Sequence, residues 1–294
     1  MRRRSPVTSV LIGLLAVLLT ASVAAFVLVV AADRSQPAAG HVSAISTTSE
    51  PTPTATGSPT PPPTLAPLAL HGDNPVSVSA SWWGWTLLDR RTGQMWGSAN
   101  DTQVNRSASM VKAWLAAFYL RLHPNPSQSW LDTLTIMIRD SDNDAADATH
   151  NALGGNTPVT SGMQTICGVS GVKITPGHGW AWTQIAPQQT ARLGACIASG
   201  KVDTPKWTQW LLNEMRHVRG VGNFGIRLAF PAAQQSSIAI KNGWVDTDGV
   251  WYINCLAIGD TWVLAVETRS SSFTTGSKAC ASVTTQLLKP APSA

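Results

Sequence analysis

Hydrophobic and polar positions divide the chain into three stretches of different character. No charged residue occurs from Ser5 to Ala32, and Val10–Ala32 is almost wholly apolar. As a helix, such a 28-residue uncharged stretch spans roughly 42 Å, more than the roughly 30 Å hydrocarbon core of a bilayer. From Arg34 to Pro67, Pro, Thr and Ser fill 20 of 34 positions. That composition buries too little apolar area to offset ordering entropy and predicts an extended spacer. Beyond residue 70 apolar positions return in mixed periods. Val76–Leu88 and Gln94–Gly97 predict two strands, joined through Asp89–Gly93 with its turn glycine. Ser109–Leu122 is apolar nearly all round and predicts a buried helix. Leu131–Arg139 and Asp144–Leu153 predict helices flanking a polar loop, and Thr157–Trp182 is Gly-rich and irregular. Gln188–Ser199 and Thr208–Arg216 predict two more helices. Ser237–Lys241, Val250–Ile258 and Thr261–Thr268 predict strands, with Asp248-Gly249 and Gly259-Asp260 at the hairpin turns. Lys278–Leu288 closes the chain as a helix. Strands at both ends of a helical middle predict an α/β (α+β) domain. Its antiparallel sheet is formed from N- and C-terminal segments and flanked by helices.

The domain layout that follows is an N-terminal membrane anchor or signal sequence (1–33), a Pro/Thr/Ser-rich linker (34–69) and a globular domain (70–294). Arg2, Arg3 and Arg4 precede the apolar run, which places the N-terminus on the cytoplasmic side. The apolar run is long for a signal peptide, although Val30-Ala31-Ala32 supplies small residues for cleavage. On either reading the rest of the chain is exported. Charge adds an exclusion. Residues 70–294 carry 17 basic and 14 acidic side chains, scattered rather than clustered. No nucleic-acid footprint results. Four cysteines match no zinc spacing and suit two disulfides in an oxidising compartment. Three connectivities exist. Pairing Cys167 with Cys196 and Cys255 with Cys280 staples the irregular loop and ties the last helix to the sheet. The 13 tryptophans cluster partly at Trp82, Trp83 and Trp85, and at Trp180 and Trp182. Such residues form core, cleft wall or a sugar-stacking surface.

Three short motifs carry chemistry. Ser109-Met-Val-Lys112 puts a hydroxyl and an amine on one face of a helix. A lysine desolvated among apolar residues can lose its proton and activate a serine. Ser170-Gly-Val-Lys173 has the same spacing, but Ile174-Thr-Pro-Gly177 follows it and forbids a helix. Ser141-Asp142-Asn143 lies in the loop between two helices, where such residues also serve as turns and caps. Lys241-Asn242-Gly243-Trp244 lies on a strand, where the glycine permits close approach.

Together and in this order the three resemble the S-x-x-K, S-D-N and K-T-G set of class A β-lactamases and penicillin-binding proteins. The resemblance covers about residues 75–288. Met137–Ala146, and Met215-Arg-His-Val218 followed by Phe224-Gly-Ile226, are also similar to secreted β-lactamase-like serine hydrolases of Gram-positive and mycobacterial envelopes. The resemblance implies Ser109 as acylated nucleophile and Lys112 as its base. It implies Ser141 as proton shuttle and Lys241 as the positive charge near the substrate carboxylate. Asn143, Asn242, Gly243 and Trp244 are the implied substrate-binding set, with the Ser109 and Trp244 amides as oxyanion hole. Asp142 braces the loop. No metal or organic cofactor is implied.

Three departures modify this picture. Residues 151–200 contain no Asp or Glu, so the deacylating glutamate of class A enzymes is missing, and His178 is the only titratable candidate in the Gly-rich stretch 174–183. Asn242 replaces the hydroxyl residue of the third motif, leaving Arg269 as a further candidate for the carboxylate. Only 32 positions separate Ser109 from Ser141, so the helical lobe is reduced. The expectation is an exported, membrane-tethered serine acyl hydrolase of penicillin-binding, peptidase or esterase type, acting on a cell-envelope peptide, ester or β-lactam. The alternatives are a true β-lactamase and a non-catalytic peptidoglycan-binding module.

Overall fold

The computed structural model describes residues 68–290. The expected anchor and most of the linker lie outside the described residues. Among the described residues no helix is long and apolar enough to cross a membrane.

In chain order the strands are β1 (Leu68–Leu70), β2 (Trp82–Asp89), β3 (Met95–Gly97), β4 (Asn105–Arg106), β5 (Lys173–Ile174), β6 (Thr183–Ile185), β7 (Ala239–Thr247), β8 (Val250–Ile258), β9 (Trp262–Ser270) and β10 (Leu288–Pro290). The helices are α1 (Lys112–Leu122), α2 (Gln128–Arg139), α3 (Asn143–Ala152), α4 (Asn156–Cys167), α5 (Pro187–Ala198), α6 (Pro205–Arg216), α7 (Ala232–Gln235) and α8 (Phe273–Leu287). The main sheet is antiparallel in the order β3-β2-β9-β8-β7, so N- and C-terminal segments meet in it as expected. β7 is an edge strand, and half of its backbone amides face away from β8. β4, β6 and β5 form a small second sheet, and β1 pairs with β10.

The helix α1 is the central pillar. Lys112 through Leu120 are all buried, as its all-round apolar sequence requires. It packs against α2, α3, α4, α5 and α6. Three corrections concern helix and strand limits. Residues 157–167, expected to be irregular, belong to α4. Pro158 falls in its first turn, where no intrahelical N–H is lost. Gly162 lets α4 approach α1, since a Cβ there would stand 3.0 Å from Trp114 and Phe118. The strand expected from Val76 is β2 and begins at Trp82, and β7 runs on to Thr247 rather than ending at Lys241. The β7–β8 turn is the expected Asp248-Gly249, both with positive φ as a two-residue hairpin turn demands.

Both disulfides have the expected pairing. Cys167–Cys196 ties the end of α4 to α5, and Cys255–Cys280 ties β8 to α8. Two ion pairs brace the C-terminal end of α2. Arg139 binds Glu214 of α6 at 2.6 Å, and Arg219 binds Asp140 at 2.5 Å. They set the position of the loop that begins at Ser141.

Candidate active site

The first motif occupies the junction of a 3₁₀ turn, Ala108–Val111, with α1. The turn is strained, because Ala108 holds φ at 47°. It projects Ser109 at the head of α1 with 9% of its surface exposed. Among the described residues no hydrogen bond occupies the Ser109 hydroxyl. β7 packs directly on this turn. A Cβ on Gly243 would collide with the Ser107 carbonyl and the Met110 amide, so only glycine lets the strand sit there.

Lys112 is fully buried one turn below Ser109. Its Nζ donates to the Ser141 carbonyl (2.6 Å), the Asp142 carbonyl (2.9 Å) and Asn143 Oδ1 (2.8 Å). A longer contact of 3.5 Å reaches Ser141 Oγ. Burial pushes the ammonium down to about 7, against the opposing pull of Asp142 and Asp147. At neutral pH a substantial fraction is therefore the free amine.

Ser141 enters α3 through a second strained residue, with φ at 60°. Its Oγ accepts from Lys241 Nζ at 2.9 Å, so this one hydroxyl lies between two buried lysines. Lys241 is also fully buried and donates to the Asn242 carbonyl at 3.0 Å. Burial first, and then the charge of Lys112, hold Lys241 well below the ordinary lysine range. Asp142 caps α3, accepting from the Ala145 amide at 2.8 Å, which is the bracing role expected of it. Asn143 spends its carbonyl on Lys112. Its amide N–H groups stay available for a substrate carbonyl.

The third motif divides between the two faces of β7. Lys241 and Gly243 face Ser109 and Ser141. Asn242 points the other way and donates to the carbonyls of Gly222 (2.9 Å) and Phe224 (2.8 Å), with its own carbonyl oxygen buried and unpartnered. This corrects its expected contact with substrate: Asn242 anchors the Gly222–Phe224 turn to the strand. Trp244, on the edge strand β7, places its indole against Phe224 and Phe273, so only its backbone is left for the oxyanion role expected of it.

Sequence reasoning did not find the pair that closes the floor. The Trp180 ring centre stands 4.6 Å from Lys112 Nζ, and its indole N–H donates to Asp147 Oδ1 at 2.6 Å. The two residues are 33 positions apart, and no spacing rule joins them. Among the described residues no carboxylate hydrogen-bonds Ser109, Lys112, Ser141 or Lys241. His178 is exposed and stacks on Trp182 at 3.9 Å, outside this cluster. Arg269 lies two residues along β9 from Glu267 and faces Asn105, to which its Nε donates at 2.9 Å.

No protein-family model matches the chain, and no curated protein matches it. Solved structures do. The extended-spectrum β-lactamase TLA-1 superposes with a TM-score of 0.61 at 19% identity, covering 73% of this chain and 92% of its own. A β-lactamase from Chitinophaga pinensis superposes at 0.58 and 18% identity, over 70% of this chain and 92% of its own. An ancestral Gram-negative class A β-lactamase gives 0.57 and 17% identity, over 71% of this chain and 94% of its own. Two strained turns, a buried lysine below a serine and a sheet that joins both ends of the chain thus stand in a domain with the fold of the class A β-lactamases.

Proposed function

We propose that this protein is an exported serine acyl hydrolase that forms an acyl-enzyme on Ser109 and releases it slowly. The observation that carries the reading is the Ser141 hydroxyl held between Lys112 and Lys241 beside an unoccupied Ser109 hydroxyl. In acylation the Lys112 amine takes the Ser109 proton as Oγ attacks a carbonyl carbon. The tetrahedral oxyanion is met by the Ser109 amide and an edge amide of β7, that of Trp244. As the carbon–nitrogen or carbon–oxygen bond breaks, the leaving atom takes a proton from Ser141, which regains one from Lys112. Lys241 donates into a lone pair of Ser141 Oγ, which leaves the hydroxyl's own proton free to point toward that leaving atom. Lys241 adds positive potential for a substrate carboxylate, and Asn143 orients the substrate amide.

Hydrolysis of the acyl-enzyme needs a base for water. Here an indole covers Lys112 and the nearby Asp147 carboxylate is held by that indole. This supports penicillin-binding, peptidase or esterase behaviour on an envelope peptide or ester. A true β-lactamase is the second reading, and the similar structures that carry that name favour it. We also place the domain outside the cytoplasm, tethered through residues 1–33 by the linker. Two disulfides suit that compartment.

The test is intact mass of the full chain incubated with a penicillin, followed over time beside Ser109→Ala. A lasting adduct, absent in the variant, is the expected result. Drug consumption without a lasting adduct establishes the β-lactamase reading instead. If neither an adduct nor consumption occurs with penicillins or simple esters, catalysis is refuted and a binding module on the same fold remains.

A further inference from the structure

The sheet face that carries Gly243 continues away from Ser109. Gly243, Asn254, Glu267 and Gly84 are direct cross-strand partners and form one row on that face. Two residues further along each strand, about 7 Å away, lies the row Val245, Tyr252, Arg269 and Trp82. Between this row and the small sheet is a cavity of about 170 Å³, bounded by Asn105, Arg106, Trp182, Gln184, Tyr252 and Arg269.

The cavity has two guanidinium groups and no acid in its wall. Arg106 donates from Nε to the Ala181 carbonyl (3.1 Å) and from Nη1 to Thr247 Oγ1 (2.7 Å). Arg269 donates from Nε to Asn105 Oδ1 (2.9 Å) and from Nη2 to the Val104 carbonyl (3.1 Å). Every one of these acceptors is neutral. Among the described residues neither arginine forms an ion pair. Glu267, on the same face of β9, is turned into the core, where it accepts from Thr190. Aromatic rings hold both cations without cancelling their charge. Arg106 stacks 3.5 Å from the Trp182 ring centre, and Arg269 lies 4.9 Å from that of Trp82 and 5.7 Å from that of Tyr252. The hydrogen bonds and the stacking fix both forks in place, and each fork retains N–H groups that are not yet used. Preorganised guanidinium groups with spare donors suit a carboxylate, and the Tyr252 ring suits a flat body attached to it.

We infer that this cavity is a second binding site, separate from Ser109, for a small planar carboxylate. The test is calorimetric titration of the full chain with benzoate, acetate and inorganic phosphate, at low and high salt. Saturable benzoate binding, tighter than acetate and weakened by salt, is expected. Gln184→Glu is nearly isosteric, sets a carboxylate in the wall and should weaken benzoate binding at least tenfold. Arg269→Gln should do the same, and Gln184→Glu should be acylated by penicillin at the wild-type rate. Prior acylation of Ser109 should leave benzoate binding unchanged, which separates this site from the catalytic one. Phosphate binding without benzoate binding would overturn the ligand class. No binding of any of the three anions, or undiminished binding in Gln184→Glu, would overturn the site.

Discussion

Replacing Glu267 with glutamine should stabilise the protein at neutral pH by about 3 kcal/mol, and the gain should vanish in acid. Glu267 sits on β9 with no exposed surface. Its Oε1 accepts from Thr190 Oγ1 at 2.7 Å, and its Oε2 is buried without a partner. Burial pushes the carboxyl up from 4.5 to about 8, more than Thr190 and Arg269 pull it down. Below pH 4.5 folded and unfolded chains are both protonated there. Between 4.5 and about 8 the unfolded chain releases the proton and the folded chain keeps it, so stability falls as pH rises. At about 1.4 kcal/mol per unit, the full window amounts to about 5 kcal/mol, with about 3 reached at pH 7. The introduced amide would still accept from Thr190 and has no proton to lose. The assay is urea unfolding of wild type and Glu267→Gln from about pH 4 to about pH 9, a range that brackets both ends of the window. The difference between them isolates this carboxyl from the titration of Lys112. It should climb from its acid value and level off above about pH 8, with a Tm gain at neutral pH of roughly 10 °C. A difference that does not change with pH would refute the reasoning, because Glu267 would then titrate as it does in the unfolded chain.

The acylation rate of Ser109 by a penicillin, read by quenched-flow mass measurement, should rise with pH around a midpoint of about 7 as Lys112 becomes an amine. Lys112→Met should lose about 10²–10⁴-fold and flatten that profile. Gly243→Ala should slow acylation at least tenfold by pushing β7 off the Ser107–Met110 backbone, with a loss of about 1–3 kcal/mol in urea unfolding. Removing the Cys167–Cys196 bridge by replacing both with Ser should cost about 3–4 kcal/mol in denaturant, for a bridge that spans 29 positions.

How far the site could be read in the sequence varied with the range of the signal. The pillar helix, the Asp248-Gly249 hairpin and the three motifs are local patterns, and each stands where its pattern puts it. The α4 helix was hidden because its polar, Gly- and Pro-containing sequence has little periodic signal. It packs on Trp114 and Phe118 of α1 and on α5, contacts that lie far away in sequence. Asn242 was legible in principle. A strand alternates its faces, so Lys241 and Gly243 on the inner face already send Asn242 outward. The contact of Trp180 with Lys112 and Asp147 was not legible, since it depends on how a Gly-rich loop folds back over α3.

The cost of the cluster bears on whether it is used. Lys112 and Lys241 are both fully buried, and no carboxylate hydrogen-bonds either of them among the described residues. Each would be cheaper to bury as an apolar side chain of similar length, because desolvating an ammonium costs several kcal/mol that carbonyl and hydroxyl acceptors offset only in part. The positive φ at Ala108 and at Ser141 adds of order 1 kcal/mol or more at each residue. Ala108, Ser141 and both lysines converge on the Ser109 and Ser141 hydroxyls, while the third positive φ outside glycine, at Asp248, belongs to the β7–β8 turn. A surface that only held a ligand would gain stability from leucine at position 112 without losing a contact that a ligand could reach. The expense is intelligible if the amine form of Lys112 is the working form, since the same burial that destabilises the ammonium is what makes the lysine a base near neutral pH.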